Sequence, residues 1–271
     1  MTDREYVLGT DEKELHRLRR QHELWVTQAQ DLWQRAGFRC DHHVMDLGCG
    51  PGFTTFELAR YLGPTAKITA VDASDRFLGA LEKRAQVDFP QAQIQTVSTL
   101  LEKMNLPKKD FDAAYCRWLM IFVSDVSGAL QAVRRHMKKG GLFALQEYVS
   151  YEAMQVCPEI PVMQKVLAAI FKSWQDQGGN PNRGRELPAL LEKSGFRVRE
   201  IRPIARTARP HEPLWDWPTG FFENYLSKMV EDGYLSAEDQ KTFQESWRRA
   251  ESEPGHFFLA PMVIDIVAEA I

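Results

Sequence analysis

The stretch "VMDLGCGPG", residues 44–52, decides the fold. An apolar run ends in Gly48, Gly50 and Gly52, with Asp46 just ahead of them. One or two glycines suffice for a turn. Glycines at alternate positions imply that something comes very close to the main chain, because glycine has no Cβ and tolerates φ > 0. A helical pattern follows the loop. The first N–H groups of a helix lack partners and carry partial positive charge. A strand, a glycine loop and a helix in that order form a ligand site.

Two ligand classes use this arrangement: dinucleotides and S-adenosylmethionine. The dinucleotide fingerprint is GxGxxG, whereas this loop is GxGxG. Asp46 would face a pyrophosphate with like charge, but it suits an ammonium group such as the methionine end of S-adenosylmethionine. The helix N-terminus then takes that ligand's carboxylate. Asp72 ends the next strand, 20 residues beyond Gly52, where an acid accepts hydrogen bonds from ribose hydroxyls.

Around this core the chain alternates. Residues 11–36 are expected as one amphipathic helix, with Leu15, Leu18, His22, Trp25, Val26, Ala29, Leu32, Trp33 and Ala36 at three- and four-residue steps, and Asp11 with Glu14 resembles a capping box at its start. Strands are expected at "HVMDLG", "AKITAVD", "AQIQTV", "FDAAYC" and "GGLFALQEY", with helices between them, and "RVREIRPIAR" alternates as a sixth. Such alternation implies a parallel sheet covered on both faces. Helices are also expected at 160–177, 212–232 and 236–252, and strand-like residues return in "HFFLAPMVIDIVAEAI".

Composition sets limits. The chain has 271 residues, 44% hydrophobic and 26% charged, with a formal net charge of −3. No basic field is present to attract nucleic acid. No apolar run reaches membrane-spanning length, so membrane insertion is not expected. The polar opening lacks a secretory h-region, and a cytoplasmic location is expected. Cys40, Cys49, Cys116 and Cys157 form no CxxC, which suits reduced thiols. The histidines are scattered, so no metal is expected.

The segments "VMDLGCGPG", "VDAS", "FDAAYCRWLMIFVSD" and "KKGGLFALQEY" resemble the successive motifs of class I S-adenosylmethionine-dependent methyltransferases. The likeness runs from residue 44 to 147, and "LPALLEKSGF" extends it to 196. The opening "YVLGTDEKELHRLRRQHELW" is similar to the leader of a bacterial small-molecule branch, grouped with ubiquinone/menaquinone-type enzymes. The resemblance implies an α/β, doubly wound, Rossmann-like, mostly parallel seven-stranded sheet whose last strand is antiparallel. An N-terminal helical cap and helical lid insertions would accompany it. One domain is expected, divided into a cap (1–41), a cofactor-binding core (42–151), a helical cover (152–182), a core helix and strand (183–206), a lid (207–254) and the last strand (255–271).

The resemblance also assigns roles. Asp46, Gly48, Cys49, Gly50 and Gly52 match the motif that holds the methionine half of the cofactor. Asp72 matches the ribose acid and Ala73 lies beside the adenine. Where many relatives carry an acid near the adenine amino group, this sequence has "VSTLL", so Ser98, Thr99 and Leu100 would supply a hydroxyl, a backbone bond and an apolar wall. Tyr6 would close over the cofactor. Cys116, Arg117 and Trp118 end the fourth strand, where cofactor meets substrate. Arg117 would be a structural ion pair, an anchor for an anionic substrate, or an anchor for the cofactor carboxylate. Glu147 and His22 are the candidate bases, with a packing role the alternative for His22. Trp118, Trp215, Phe221 and Phe222 are candidates to line the acceptor pocket.

The expected function is methyl transfer from S-adenosylmethionine, leaving S-adenosylhomocysteine, to O, N or C of a small apolar or aromatic metabolite. A monomer or homodimer is expected, with no nucleic-acid partner. The alternatives are a non-catalytic protein that binds the same nucleoside and, more remotely, an NAD(P)-dependent oxidoreductase. Tyr115 precedes Cys116 where RNA cytosine methylases carry proline, which argues against that chemistry.

Overall fold

The computed structural model describes residues 12–271, without the side chain of Lys13. The first strand, β1 (His43–Leu47), lies mid-sheet, flanked by β2 (Lys67–Asp72) and β4 (Phe111–Arg117), both parallel to it. β3 (Gln93–Ser98) continues outward beside β2, and β5 (Met137–Ser150) beside β4. Beyond β5 the order is β10 (Met262–Ala270) and then β7 (Phe196–Ile204). β10 runs antiparallel to both neighbours. The seven-stranded sheet with its last strand reversed is thus as expected.

The chain winds outward from β1 through β2 to β3, then crosses back to β4. Strand order therefore reverses between β1 and β4, and in open α/β sheets ligands bind at the carboxyl ends of the strands at such a point.

Residue parity decides what each strand shows to each face. In β1, Val44 packs with one layer and Met45 and Leu47 with the other. In β4, Ala113 and Tyr115 take the first side, Ala114 and Cys116 the second. The first layer contains α1 (Glu12–Ala36), α2 (Phe53–Leu62) and α3 (Asp75–Asp88); the second contains α4 (Val126–His136) and α6 (Leu187–Lys193). Asp11 and its capping box lie outside the described residues, as does Tyr6. Ser74 caps α3, accepting from the Phe77 N–H at 3.3 Å.

A buried chain of polar groups fastens α1 to the sheet. The Tyr115 hydroxyl donates to Gln146 at 2.6 Å, Gln146 donates to Asp265 at 2.9 Å, and Arg35 of α1 pairs with Asp265 and Glu200. Burial pushes the Asp265 carboxyl up to about 6.

The helical covers form a separate aromatic core of α5 (Val162–Asp176), α7 (Pro213–Glu231) and α8 (Ala237–Ser252). The tail differs from expectation. Residues 255–271 were expected as one strand, but only β10 joins the main sheet. β9 (Phe257–Leu259) pairs instead with β6 (Gln155–Cys157) and β8 (Thr207–Ala208). Pro261 separates β9 from β10, and proline cannot donate to a ladder. The three-stranded sheet therefore stitches the cover and the lid together at their bases.

Candidate functional site

The ends of β1, β2 and β3 are tied together by one residue, Asp72. Its Oδ2 accepts the Gly50 N–H at 2.8 Å and its Oδ1 accepts the Ser74 N–H at 2.9 Å. Its backbone carbonyl accepts the Thr99 N–H at 2.9 Å. A carboxylate offers about four lone-pair sites, so each oxygen retains capacity for a hydroxyl. Burial raises the Asp72 carboxyl, opposed by the backbone donors from Ser74, Gly50 and Ala73.

The three glycines divide the labour of the loop. All have positive φ, at 69°, 53° and 87°. A Cβ on Gly52 would stand 2.6 Å from Leu81 Cγ, so Gly52 is needed for α2 to approach α3. A Cβ on Gly48 would meet Leu119 at 3.0 Å. Only at Gly50 would a Cβ meet nothing within 4 Å. Gly50 is therefore the point of open approach, and the other two serve packing. The first turn of α2 has no side-chain cap, which leaves an anion site at its N-terminus.

A cavity of about 850 Å³ opens from this loop. Of the expected cofactor residues, Gly48, Cys49, Gly50, Asp72, Ala73, Thr99, Leu100 and Arg117 line it; Asp46, Gly52 and Ser98 do not. Asp46 shares the face of Val44 and points under α2. It is 2% exposed, and its Oδ2 accepts the Thr55 hydroxyl at 2.6 Å. The expected direct meeting of Asp46 with an ammonium group is thus replaced by a position one layer behind the wall. Burial pushes its carboxyl up to about 7, against the Thr55 hydrogen bond and the Arg117 charge. Ser98 is exposed at the end of β3.

The other half of the cavity is an aromatic chamber. Trp118 has φ of 53°, uncommon for a bulky residue and typical of constrained sites. Its ring stacks on Tyr148 at 5.4 Å and on Trp217 at 6.0 Å, and Trp25 meets it edge-on at 5.2 Å. Tyr151, Trp174 and Phe221 continue the wall. Of the four candidates for an acceptor pocket, Trp118 and Phe221 line this chamber. Trp215 and Phe222 do not: they pack on α8, against Trp247 at 5.0 and 5.3 Å. The helical period explains the split. Trp217 and Phe221 are four apart on one face of α7, while Trp215 and Phe222 are seven apart on another. Tyr148, Tyr151, Trp174 and Trp217 were not among the expected pocket residues. For Trp217 the four-residue step to Phe221 was a usable signal; the others come from separate elements that only folding joins.

Neither candidate base is poised as one. Glu147 shares the face of Phe143 and Leu145, away from the cavity. Its Oε2 accepts the Met120 N–H at 2.9 Å and its Oε1 the Tyr148 N–H at 3.3 Å. Burial pushes its carboxyl up to about 8. It holds the turn at Met120–Phe122, two of whose residues, Ile121 and Phe122, form cavity wall. His22 does line the cavity, but its Nδ1 lies 3.1 Å from Arg117 Nη2. A guanidinium only donates, so Nδ1 accepts and Nε2 carries the proton. Burial, then Arg117 and Arg60, push His22 down to about 3, and it stays neutral.

Among the described residues no cluster of three or more His, Cys, Asp or Glu suits a metal, and no helix is long and apolar enough to cross a membrane.

Comparison with known proteins agrees with this geometry. Residues 44–141 match the family described as "Methyltransferase domain". The chain is similar to the 2-phytyl-1,4-naphtoquinone methyltransferase of Trichormus variabilis, 30% identical over 128 residues, which are 47% of this chain and 55% of that one. The chain spans about half the length of the curated relatives it matches first. Among solved structures, the YcgJ protein of Bacillus subtilis superposes with a TM-score of 0.60 at 20% identity, covering 90% of this chain and 98% of that one. The geranyl diphosphate C-methyltransferase of Streptomyces coelicolor, solved with Mg2+, geranyl diphosphate and S-adenosyl-L-homocysteine, gives 0.57 at 18% identity, covering 92% and 82%. These two likenesses are of fold.

Proposed function

We propose that the chain, whose residues 44–141 match the methyltransferase-domain family, is a class I S-adenosylmethionine-dependent enzyme that transfers a methyl group to a small, largely apolar aromatic or conjugated acceptor. The observation that carries this reading is one continuous cavity with the Asp72–Gly50 crevice at one end and the aromatic chamber at the other.

The residues present fit the cofactor. Asp72 offers acceptors to two ribose hydroxyls, and Gly50 lets a ligand lie against bare main chain. The uncapped first turn of α2 suits a carboxylate. Ala73, Thr99 and Leu100 flank the place for the adenine. Bound there, the cofactor supplies a methyl group on an already activated sulfonium. The chain's contribution is to hold the acceptor in line and dry. Orientation of that kind is worth about 7–11 kcal/mol of a barrier. The acceptor lies among Trp118, Tyr148, Tyr151, Trp174, Trp217 and Phe221, with α1, α5 and α7 closing over it. We place the reaction in the cytoplasm, in a monomer or homodimer, with no nucleic-acid partner.

Calorimetry with S-adenosylhomocysteine tests the reading. Binding is expected; no heat at millimolar ligand would overturn it.

A further inference from the structure

Among the described residues Arg117 has no counter-ion, and it stands in the cavity wall beside the aromatic chamber. It leaves the end of β4 on the same face as Tyr115. Two neutral groups hold its Nη2: Thr54 Oγ1 at 3.2 Å and His22 Nδ1 at 3.1 Å. Nη1 is buried with no partner. The guanidinium carbon lies 5.0 Å from the centroid of the Trp118 ring, at the entrance to the chamber. Among the described residues no ion pair includes Arg117. Arg117 is half-buried, and its shielded Nη1 is a donor that an anion beside it would satisfy.

The chain's own acids are engaged elsewhere. Asp46 shares the face of Arg117 but is turned to Thr55. Asp72 holds Gly50 and Ser74, and Glu147 faces the opposite layer. His22 is neutral and presents an N–H rather than a lone pair; Tyr148 and Tyr151 are the titratable groups of the chamber, burial raises the Tyr151 phenol, and Arg17, Arg76 and Lys228 are the other cations of the cavity wall. Glu102 also lines the cavity, but next to Leu100 and Leu101 on the side given to the adenine. Among the described residues, the wall around Trp118 thus combines an unpaired cation with no carboxylate facing it.

Building on the methyl-transfer reading, we propose that the acceptor is bound as an anion, an ionised phenol or enol on an aromatic frame, and that Arg117 stabilises this anion in place of a general base. The acceptor's proton goes to solvent. The electron pair of the anion forms the bond to the methyl carbon as the carbon–sulfur pair returns to sulfur, leaving a neutral thioether and a neutral methylated product. The uncapped α2 N-terminus offers the cofactor carboxylate backbone N–H donors of its own; Arg117, bonded to Thr54 of that turn, reaches from there towards the Trp118 ring, so the effect of its loss on cofactor affinity separates the two roles.

The test uses 4-nitrophenol as probe, whose absorbance reports its ionisation, with protein saturated in S-adenosylhomocysteine. In the wild-type protein the bound probe should ionise about one pH unit or more below the free probe, the shift an opposite charge gives at close range. Arg117→Met should abolish the shift, and Arg117→Lys should keep part of it. Arg117→Met should also bind S-adenosylhomocysteine within about threefold of wild type, a difference well under 1.4 kcal/mol. An unshifted midpoint in wild type overturns the inference, as does failure of the probe to bind at millimolar concentration. So does an Arg117→Met protein that keeps the shifted midpoint or loses about tenfold in S-adenosylhomocysteine affinity, since the arginine then belongs to the cofactor. If Arg117→Met does not unfold cooperatively, wild type and Arg117→Lys decide. Failure of wild type to bind S-adenosylhomocysteine would instead sink the underlying methyl-transfer reading.

Discussion

Asp72 accepts the Gly50 N–H at 2.8 Å, so the acid that ends β2 also sets the loop that ends β1. One carboxylate thus shapes the floor of the crevice and lines it. Replacing Asp72 by Asn keeps the shape and one acceptor but removes the charge. Charge-assisted hydrogen bonds are worth about 1.5–3 kcal/mol. Calorimetry should show S-adenosylhomocysteine binding weakened about tenfold or more in Asp72→Asn, with cooperative thermal unfolding retained. Unchanged affinity would remove Asp72 from the site.

Gly50 and Gly52 should respond differently to alanine. Gly52→Ala brings a Cβ to 2.6 Å from Leu81 Cγ at a φ of 87°. Left-handed strain and overpacking together should cost about 2–4 kcal/mol, which lowers Tm by on the order of 5–10 °C in a chain of this size. Gly50→Ala meets nothing in the fold, so it should cost only the backbone strain, about 1–2 kcal/mol. Its larger effect should be on S-adenosylhomocysteine binding. Equal losses of Tm in the two variants would contradict this division.

Glu147 sets a stability–pH relation. Its folded carboxyl is pushed from the usual 4.5 up to about 8 by burial, so the native state holds a proton that the unfolded chain releases. That contribution is complete below about pH 4.5 and is lost as pH rises through about 8, at up to about 1.4 kcal/mol per pH unit. Asp46, pushed up to about 7, acts in the same direction. His22 acts oppositely: its contribution is complete above about 6.5 and is lost as pH falls towards about 3. Between pH 5.5 and 8.5, Tm of Glu147→Gln should fall less than that of wild type. Parallel Tm curves would show that Glu147 is ionised in the fold.

Thiol labelling checks the loop from another side. Cys49 and Cys116 are buried, and burial raises both thiols well above the ordinary range. Cys40 is exposed and Cys157 half-buried. A thiol-disulfide reagent should label Cys40 first in the native protein, and all four cysteines only after unfolding. Rapid native labelling of Cys49 would contradict its burial and mark a reactive thiol at the α2 N-terminus.

Much of the fold was legible because its signals are local. The glycine loop, the strand–helix alternation and the Asp72 spacing are each written within a few residues. The short sheet of β6, β8 and β9 was not legible. Its strands are two or three residues long and carry no period, and they form only because distant segments meet.

The amino-acid sequence by itself determined the order of elements, the place where a ligand meets bare main chain, and the acid at the end of β2. Which way each side chain faces was decided by tertiary structure. Asp46, Arg117 and Glu147 all lie near strand ends, yet parity sends Asp46 and Arg117 beneath the α1–α2 layer and Glu147 to the opposite one. The sequence carries that parity, but which layer covers which face, and so which carboxyl meets solvent, Thr55 or the Met120 N–H, follows from packing between elements far apart in the chain.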